Sequence, residues 1–149
     1  IPATGKPTFE IEEDQIGLGM GIHGEPGVGE IPMTHADELN PKMIDLIIKD
    51  FDKHDEVEAL ASGDDVLVFI NSLGATTMME CLIVLRKVKA LLTEKGINVY
   101  DVMVGPLTTC QEMSGVSISL TRMDDELKGY WEMPCQSVCF SKMEGRYGG

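Results

Sequence analysis

Reactive chemistry concentrates in nine residues, Gly19-Met20-Gly21-Ile22-His23-Gly24-Glu25-Pro26-Gly27. Glycines at 19, 21, 24 and 27 remove side-chain bulk and permit positive φ, so a ligand or another backbone can come close. A histidine set in that gap has an unperturbed pKa of about 6.5 and is mostly neutral at physiological pH. Neutral imidazole serves as a nucleophile, a base or a metal ligand. The plain alternative is a turn histidine with no chemical task. Glu25 and Glu30 flank the loop, and either can orient His23 through its second ring nitrogen. Gly19-x-Gly21-x-x-Gly24 also fits a dinucleotide-binding pattern, but that pattern needs a helix directly after it to aim at a pyrophosphate. Glu25-Pro26-Gly27-Val28-Gly29 follows instead, and no helix starts through it.

The elements around this loop are read from pattern and punctuation. Residues 8–12 alternate and predict a short strand, residues 15–22 a second one, and residues 21–29 the loop itself. A helix is predicted from about 36 to 50, with an apolar stripe of Leu39, Met43, Leu46, Ile47 and Ile48. Thr34 is its expected N-cap, with Asp37 and Glu38 at the positive end of the dipole. The apolar run in 65–71 predicts a buried strand. Residues 71–77 form a loop into a long helix over 78–94, which Gly96 ends at C′. Strands follow at 97–104 and 116–123, then a short helix over 124–131 with an acidic first turn. The tail ending in Gly145-Arg146-Tyr147-Gly148-Gly149 reads as frayed. The order β-β-α-β-α-β-β-α predicts an α/β domain with a mixed β-sheet and packed helices.

At 149 residues the chain suits one domain, residues 1–149, large enough to bury its own core. It begins at Ile1, and residues 1–7 read like an exposed linker, so the sequence is taken as part of a larger protein. Twelve basic against 25 acidic residues give a net charge of −13, which repels phosphate backbones and anionic headgroups and argues against nucleic acid and membrane partners. No apolar run reaches the roughly 20 residues that span a bilayer, and no basic-then-apolar leader is present. Cys81, Cys110, Cys135 and Cys139 form no dense framework, so a reduced cytoplasmic setting is expected.

Other candidates favour bland readings. His35 sits near a helix start, and His54 lies in the charge cluster Lys53-His54-Asp55-Glu56. Cys135-x-x-x-Cys139 has no second ligand pair at zinc spacing, so no metal site is expected. Residues 71–77 precede a helix N-terminus and could hold an anion, but shaping the fold or a pocket wall is the preferred reading.

The nine-residue loop resembles the signature loop of the dihydroxyacetone kinase family. Asn71-Ser72-Leu73-Gly74-Ala75-Thr76-Thr77 is similar to its strand-to-helix loop, and Glu112-Met113-Ser114-Gly115 to its later glycine turn. Gly5-Lys6-Pro7-Thr8-Phe9 fits as well. Cys110-Gln111 and Pro106-Leu107 depart from the pattern. The resemblance implies the carboxy-terminal domain of the substrate-binding subunit, the second domain of that subunit. It implies that His23 bonds to the carbonyl carbon of dihydroxyacetone as a hemiaminal, with Gly21, Gly24 and Glu25 around the substrate. An upstream domain of the same subunit would supply acid-base groups. ADP or ATP with Mg would sit on a partner kinase subunit or appended domain, with no cofactor in this chain. A homodimer is implied too. Two other roles remain open: a ketone-sensing co-activator paralogue in a transcription-regulatory complex, and an enzyme for another hydroxy-ketone such as erythrulose.

Overall fold

A computed structural model of the chain describes residues 5–7, 9–21, 25–51, 58–108 and 110–147. The elements are β1 (Gln15–Leu18), β2 (Gly29–Pro32), α1 (Ala36–Phe51), β3 (Asp65–Ser72), α2 (Met78–Glu94), β4 (Asn98–Gly105), β5 (Val116–Arg122), α3 (Asp125–Glu132), β6 (Cys135–Gln136) and β7 (Ser141–Lys142). The mixed sheet expected from the sequence is present, in the order β4-β3-β5. β3 runs parallel to β4 through the crossover α2 and antiparallel to β5. A separate antiparallel hairpin, β1–β2, carries the histidine loop.

β3 is central because its sequence is apolar on both faces. Val66, Val68 and Ile70 join one core cluster with Ile44 of α1 and with Cys81, Val84, Leu85, Val88, Leu91 and Leu92 of α2. These α2 residues recur at helical spacing, so one stripe of the helix lies on the sheet. Each fully buried aliphatic side chain contributes about 1.5–3 kcal/mol. Among the described residues, no member of this cluster comes from residues 9–33.

The opposite face of the sheet has a different chemistry. Phe69 of β3 meets Trp131 of α3 edge to face, ring centroids 6.2 Å apart. Asp101 of β4 is buried, and its Oδ2 accepts from Trp131 Nε1 at 2.6 Å and from the Tyr147 backbone N–H at 2.6 Å. One carboxylate thereby fastens both α3 and the carboxy-terminal segment. Lys142 is buried as well, donating to the Gly145 carbonyl at 2.7 Å with its ammonium 5.8 Å from the Trp131 ring. At the edge of α3, Lys128 Nζ bonds Asp65 at 2.7 Å.

Five expectations are corrected. Residues 9–12 are irregular, because alternation makes a strand only where a partner lies alongside. β1 ends at Leu18 rather than at residue 22, since Gly19 has φ +72° and leaves the extended region. The partner strand β2 was unforeseen; Gly29 and Pro32 are poor strand formers, and cross-strand pairing overrides them. The tail is not frayed through residue 147, because β6 pairs with β7 and Asp101 holds Tyr147. α1 begins at Ala36, so Thr34 stands one position before the cap; its hydroxyl donates to the Glu38 carboxylate. The remaining elements match expectation within a residue or two.

Asp101→Ala strands two donors on the second face and should cost about 2–4 kcal/mol in urea unfolding. Emission from the single tryptophan should shift red as Trp131 loosens. The Asp65–Lys128 pair sets a pH signature. The Lys128 hydrogen bond holds the Asp65 carboxyl below its usual value, and the same bond holds the Lys128 ammonium above its own. The aspartate contribution is full above the ordinary carboxylate value of about 3.9 and is lost as pH falls through the lower folded value. The lysine contribution is full below about 10.4 and is lost as pH rises through the higher folded value. Lys128→Met should therefore flatten the fall in urea midpoint from pH 5 to pH 3, read against wild type.

Candidate functional site

The hairpin builds a narrow neck for the histidine loop. Val28 N–H donates to Leu18 O at 2.7 Å and Met33 N–H to Asp14 O at 2.6 Å, closing both ends of the β1–β2 ladder. Further out, Gly21 N–H donates to Glu25 O at 3.2 Å. The chain thus leaves at Gly21 and returns at Glu25 with three residues between. Those three, Ile22, His23 and Gly24, lie outside the described residues, so two expected site residues, His23 and Gly24, do as well. The other two, Gly21 and Glu25, are brought together. A Cβ on Gly21 would stand 2.7 Å from Glu25 Cβ and 2.8 Å from its Cδ, so the glutamate side chain fills the space a residue-21 side chain would need. Glu30 pairs with Gly17 down the hairpin and is exposed, which places it away from the neck.

A second assembly forms where β3 and β4 end together, the position at which open α/β sheets form ligand crevices. Asn71 is buried there with all its main bonding positions used. Its Nδ2 donates to Thr108 O at 2.8 Å and Ser117 Oγ at 3.2 Å, while Oδ1 accepts from Leu107 N at 2.9 Å and Thr108 N at 2.8 Å. Thr76 Oγ1 donates to Gly115 O at 2.8 Å and accepts from Gly115 N at 3.0 Å. Leu73 and Ala75 donate backbone bonds to Gly115 O and Met113 O, and Cys110 donates to Leu73 O. The loop over 73–77 and the turn over 110–115 are therefore one unit. Gly74 (φ +128°) lies against this turn, and a Cβ there would meet Glu112 N at 2.8 Å. Gln111 and Glu112 both take positive φ, 45° and 61°, a conformation non-glycine residues rarely hold in succession. The bonds from Leu73 and Ala75 keep them there.

The start of α2 is already filled. Thr77 and Glu80 form a reciprocal capping box: Glu80 N donates to Thr77 Oγ1, and Glu80 Oε2 accepts from Thr77 N at 2.8 Å. The Thr77 hydroxyl and N–H hold the Glu80 carboxyl below its usual value. A resident carboxylate leaves this N-terminus poorly suited to another anion, and the bonds of residues 71–77 show the loop shaping the fold. Cys81 is buried, and burial pushes its thiol up, away from nucleophilic use. His35 is exposed at the start of α1, its carbonyl taking the Glu38 and Leu39 N–H groups. His54 lies outside the described residues. Cys135 and Cys139 are exposed on the β6–β7 hairpin. Among the described residues no helix is long and apolar enough to cross a membrane.

Residues 1–139 match the Dak1 domain family. The chain belongs to that family. This Dak1 domain is 37% identical over 140 residues to the dihydroxyacetone-binding subunit DhaK of PTS-dependent dihydroxyacetone kinase 2 from Listeria innocua, a match covering 94% of this chain and 40% of that subunit. It is 35% identical over 142 residues to an L-erythrulose kinase from Pectobacterium atrosepticum, covering 95% of this chain and 24% of that enzyme. Among solved structures it resembles the dihydroxyacetone kinase operon co-activator Dha-DhaQ, with a TM-score of 0.73 at 27% identity, over 87% of this chain and 38% of that one. The Dak1 domain therefore spans two fifths or less of the length of each of these relatives.

The Asn71 and Thr76 contacts went unseen in the sequence. Residues 71–77 stood out as a loop, but its partners lie 36 to 46 positions away. Thr76→Val should cost about 1–3 kcal/mol, because it keeps the shape and removes both bonds to Gly115. Thr76→Ser should recover most of that loss in the same urea series.

Proposed function

We propose that this Dak1 domain binds dihydroxyacetone covalently through His23 and presents it for phosphorylation to dihydroxyacetone phosphate by a partner subunit. The observation that carries this reading is the Gly21–Glu25 neck, which closes against a glutamate side chain at the two ends of the sequence segment that contains His23. The likeness to a dihydroxyacetone-binding subunit supports the substrate.

Neutral His23 adds its unprotonated ring nitrogen to the ketone carbon. A C–N bond forms, the C=O π bond breaks, and the oxygen takes a proton. The second ring nitrogen gives one up, so the hemiaminal is neutral. Glu25 is assigned the role of orienting that second nitrogen. Gly24 is assigned to leave room for the substrate, and Gly21 borders it while making room for the Glu25 side chain. Glycerol has similar hydroxyls but no carbonyl, so addition selects the ketone where hydrogen bonds alone discriminate poorly. The bond also fixes a terminal hydroxyl in space, an orientation effect. The phosphoryl donor, ADP or ATP with Mg, belongs to the partner, and the isolated chain should show no kinase activity. The acid-base groups for transfer belong to the rest of the subunit, and the assembly is a homodimer working in the cytoplasm.

Two other readings have support. Likeness to the Dha-DhaQ co-activator favours a ketone sensor built on the same domain. Likeness to an L-erythrulose kinase favours a longer hydroxy-ketone as substrate.

The test is carbon-13 NMR with dihydroxyacetone labelled at the carbonyl, added to wild type, His23→Ala and Glu25→Gln. Wild type should show a new tetrahedral-carbon signal, His23→Ala none, and Glu25→Gln a signal with shifted pH dependence. A bound ketone that keeps its carbonyl signal in wild type would sink the covalent mechanism and put the sensor reading first.

A further inference from the structure

α2 changes character along its exposed side. In its first two turns the exposed residues are Met78, Met79, Leu82 and Ile83, flanked by the capping Glu80, with Met79 73% exposed and the other three apolar residues close to half exposed. In its later turns the same side carries Arg86, Lys89 and Thr93. The i, i+4 pairs Met78–Leu82 and Met79–Ile83 make one continuous apolar strip. Its inward face is already satisfied, since Cys81, Val84, Leu85 and Val88 lie in the core. The strip is therefore surplus to the domain's own packing. Contiguous apolar surface of this kind, ending in charged residues, has the layout of an interface with an apolar centre and a polar rim.

Location and length point to one occupant. The strip starts at the helix end that adjoins the β3 and β4 exits: a Cβ on Gly105, the last residue of β4, would lie 3.8 Å from the Met78 methyl. Two residues on, Leu107 is a further exposed apolar side chain. This is the crevice end of the sheet, bordered by the paired loops. In the Listeria innocua relative, matched over 94% of this chain, three fifths of the subunit lies outside the match. A remainder of that size, packed against this domain, would use a surface of inter-domain type. We infer that the Met78–Met79–Leu82–Ile83 face of α2 is where the remainder of a DhaK-type subunit docks, through a surface that is apolar and uncharged at its centre. The inference rests on the reading of this domain as part of such a subunit. Docking there would wall the crevice on the α2 side.

Thiol labelling tests this without using the ketone. Ile83→Cys and, as a control on the charged part of the same helix, Lys89→Cys are placed in two proteins. One is the 149-residue chain alone. The other is a chimera in which the chain replaces the matching segment of the Listeria subunit. Peptide mapping separates these thiols from the native cysteines. The expected result is that labelling at I83C slows at least about tenfold in the chimera, as burial requires, while K89C labels equally in both. Equal labelling of I83C in both proteins would overturn the inference. Concentration-dependent protection of I83C in the chain alone would overturn it too, and assign the face to a second copy. If the chimera does not fold, the non-matching region of the Listeria subunit is added in trans to the chain; absence of protection there counts against the docking face. A chimera protected at I83C that forms no tetrahedral adduct keeps the docking face and rejects only the covalent anchor.

Discussion

A single buried amide sets the geometry at the business end of the sheet. Asn71 stands near the end of the central strand, where three chain segments meet, and it binds the exit of β4 and the entrance of β5 at once. A buried polar group without partners costs free energy, and one with every partner fixes a unique arrangement. Here the amide meets two backbone N–H groups and a carbonyl of the loop after β4. Satisfying them fixes where the loop after β4 turns. That turn in turn presents Met113 and Gly115 to the loop after β3, and Thr76 closes the circuit. The capping box at Thr77 follows directly, so the start of α2 is aimed by the same network.

The sheet has two faces with different kinds of cohesion. Toward α1 and α2 the contact is aliphatic and owes its strength to area removed from water. Toward α3 and the carboxy-terminal segment it is organised by one carboxylate, Asp101, with aromatic rings around it. The second arrangement is directional. It decides where Trp131 and Tyr147 sit, which an apolar patch of equal size would leave loose. Exposed ion pairs such as Asp45–Lys95 between α1 and α2 add little beside these.

The β1–β2 hairpin and the central scaffold are kept apart along the chain. The histidine loop hangs from a short hairpin that gives no residue to the core, and the rigid loops stand on the central sheet. An isolated two-stranded hairpin is marginal in water, so β1–β2 depends on what surrounds it more than the sheet does.

The sequence alone determined the alternation of helices and strands from residue 36 to 132, because apolar spacing, the Gly96 stop and the β3 run are local signals. It also singled out the histidine loop, since glycine spacing around a reactive side chain is written in consecutive residues. Tertiary structure alone decided that Gly29–Pro32 is a strand, that residues 9–12 are not, and that the tail is held to residue 147. In each case a distant partner overrides local preference: Ile16 against Ile31, Asp101 against Tyr147. The same holds for the paired loops beyond β3 and β4. Asn71, Thr76 and Gly115 are ordinary residues in ordinary segments, and their role exists only once β3, β4 and β5 lie side by side, because a hydrogen bond is set by distance in space and not by separation along the chain.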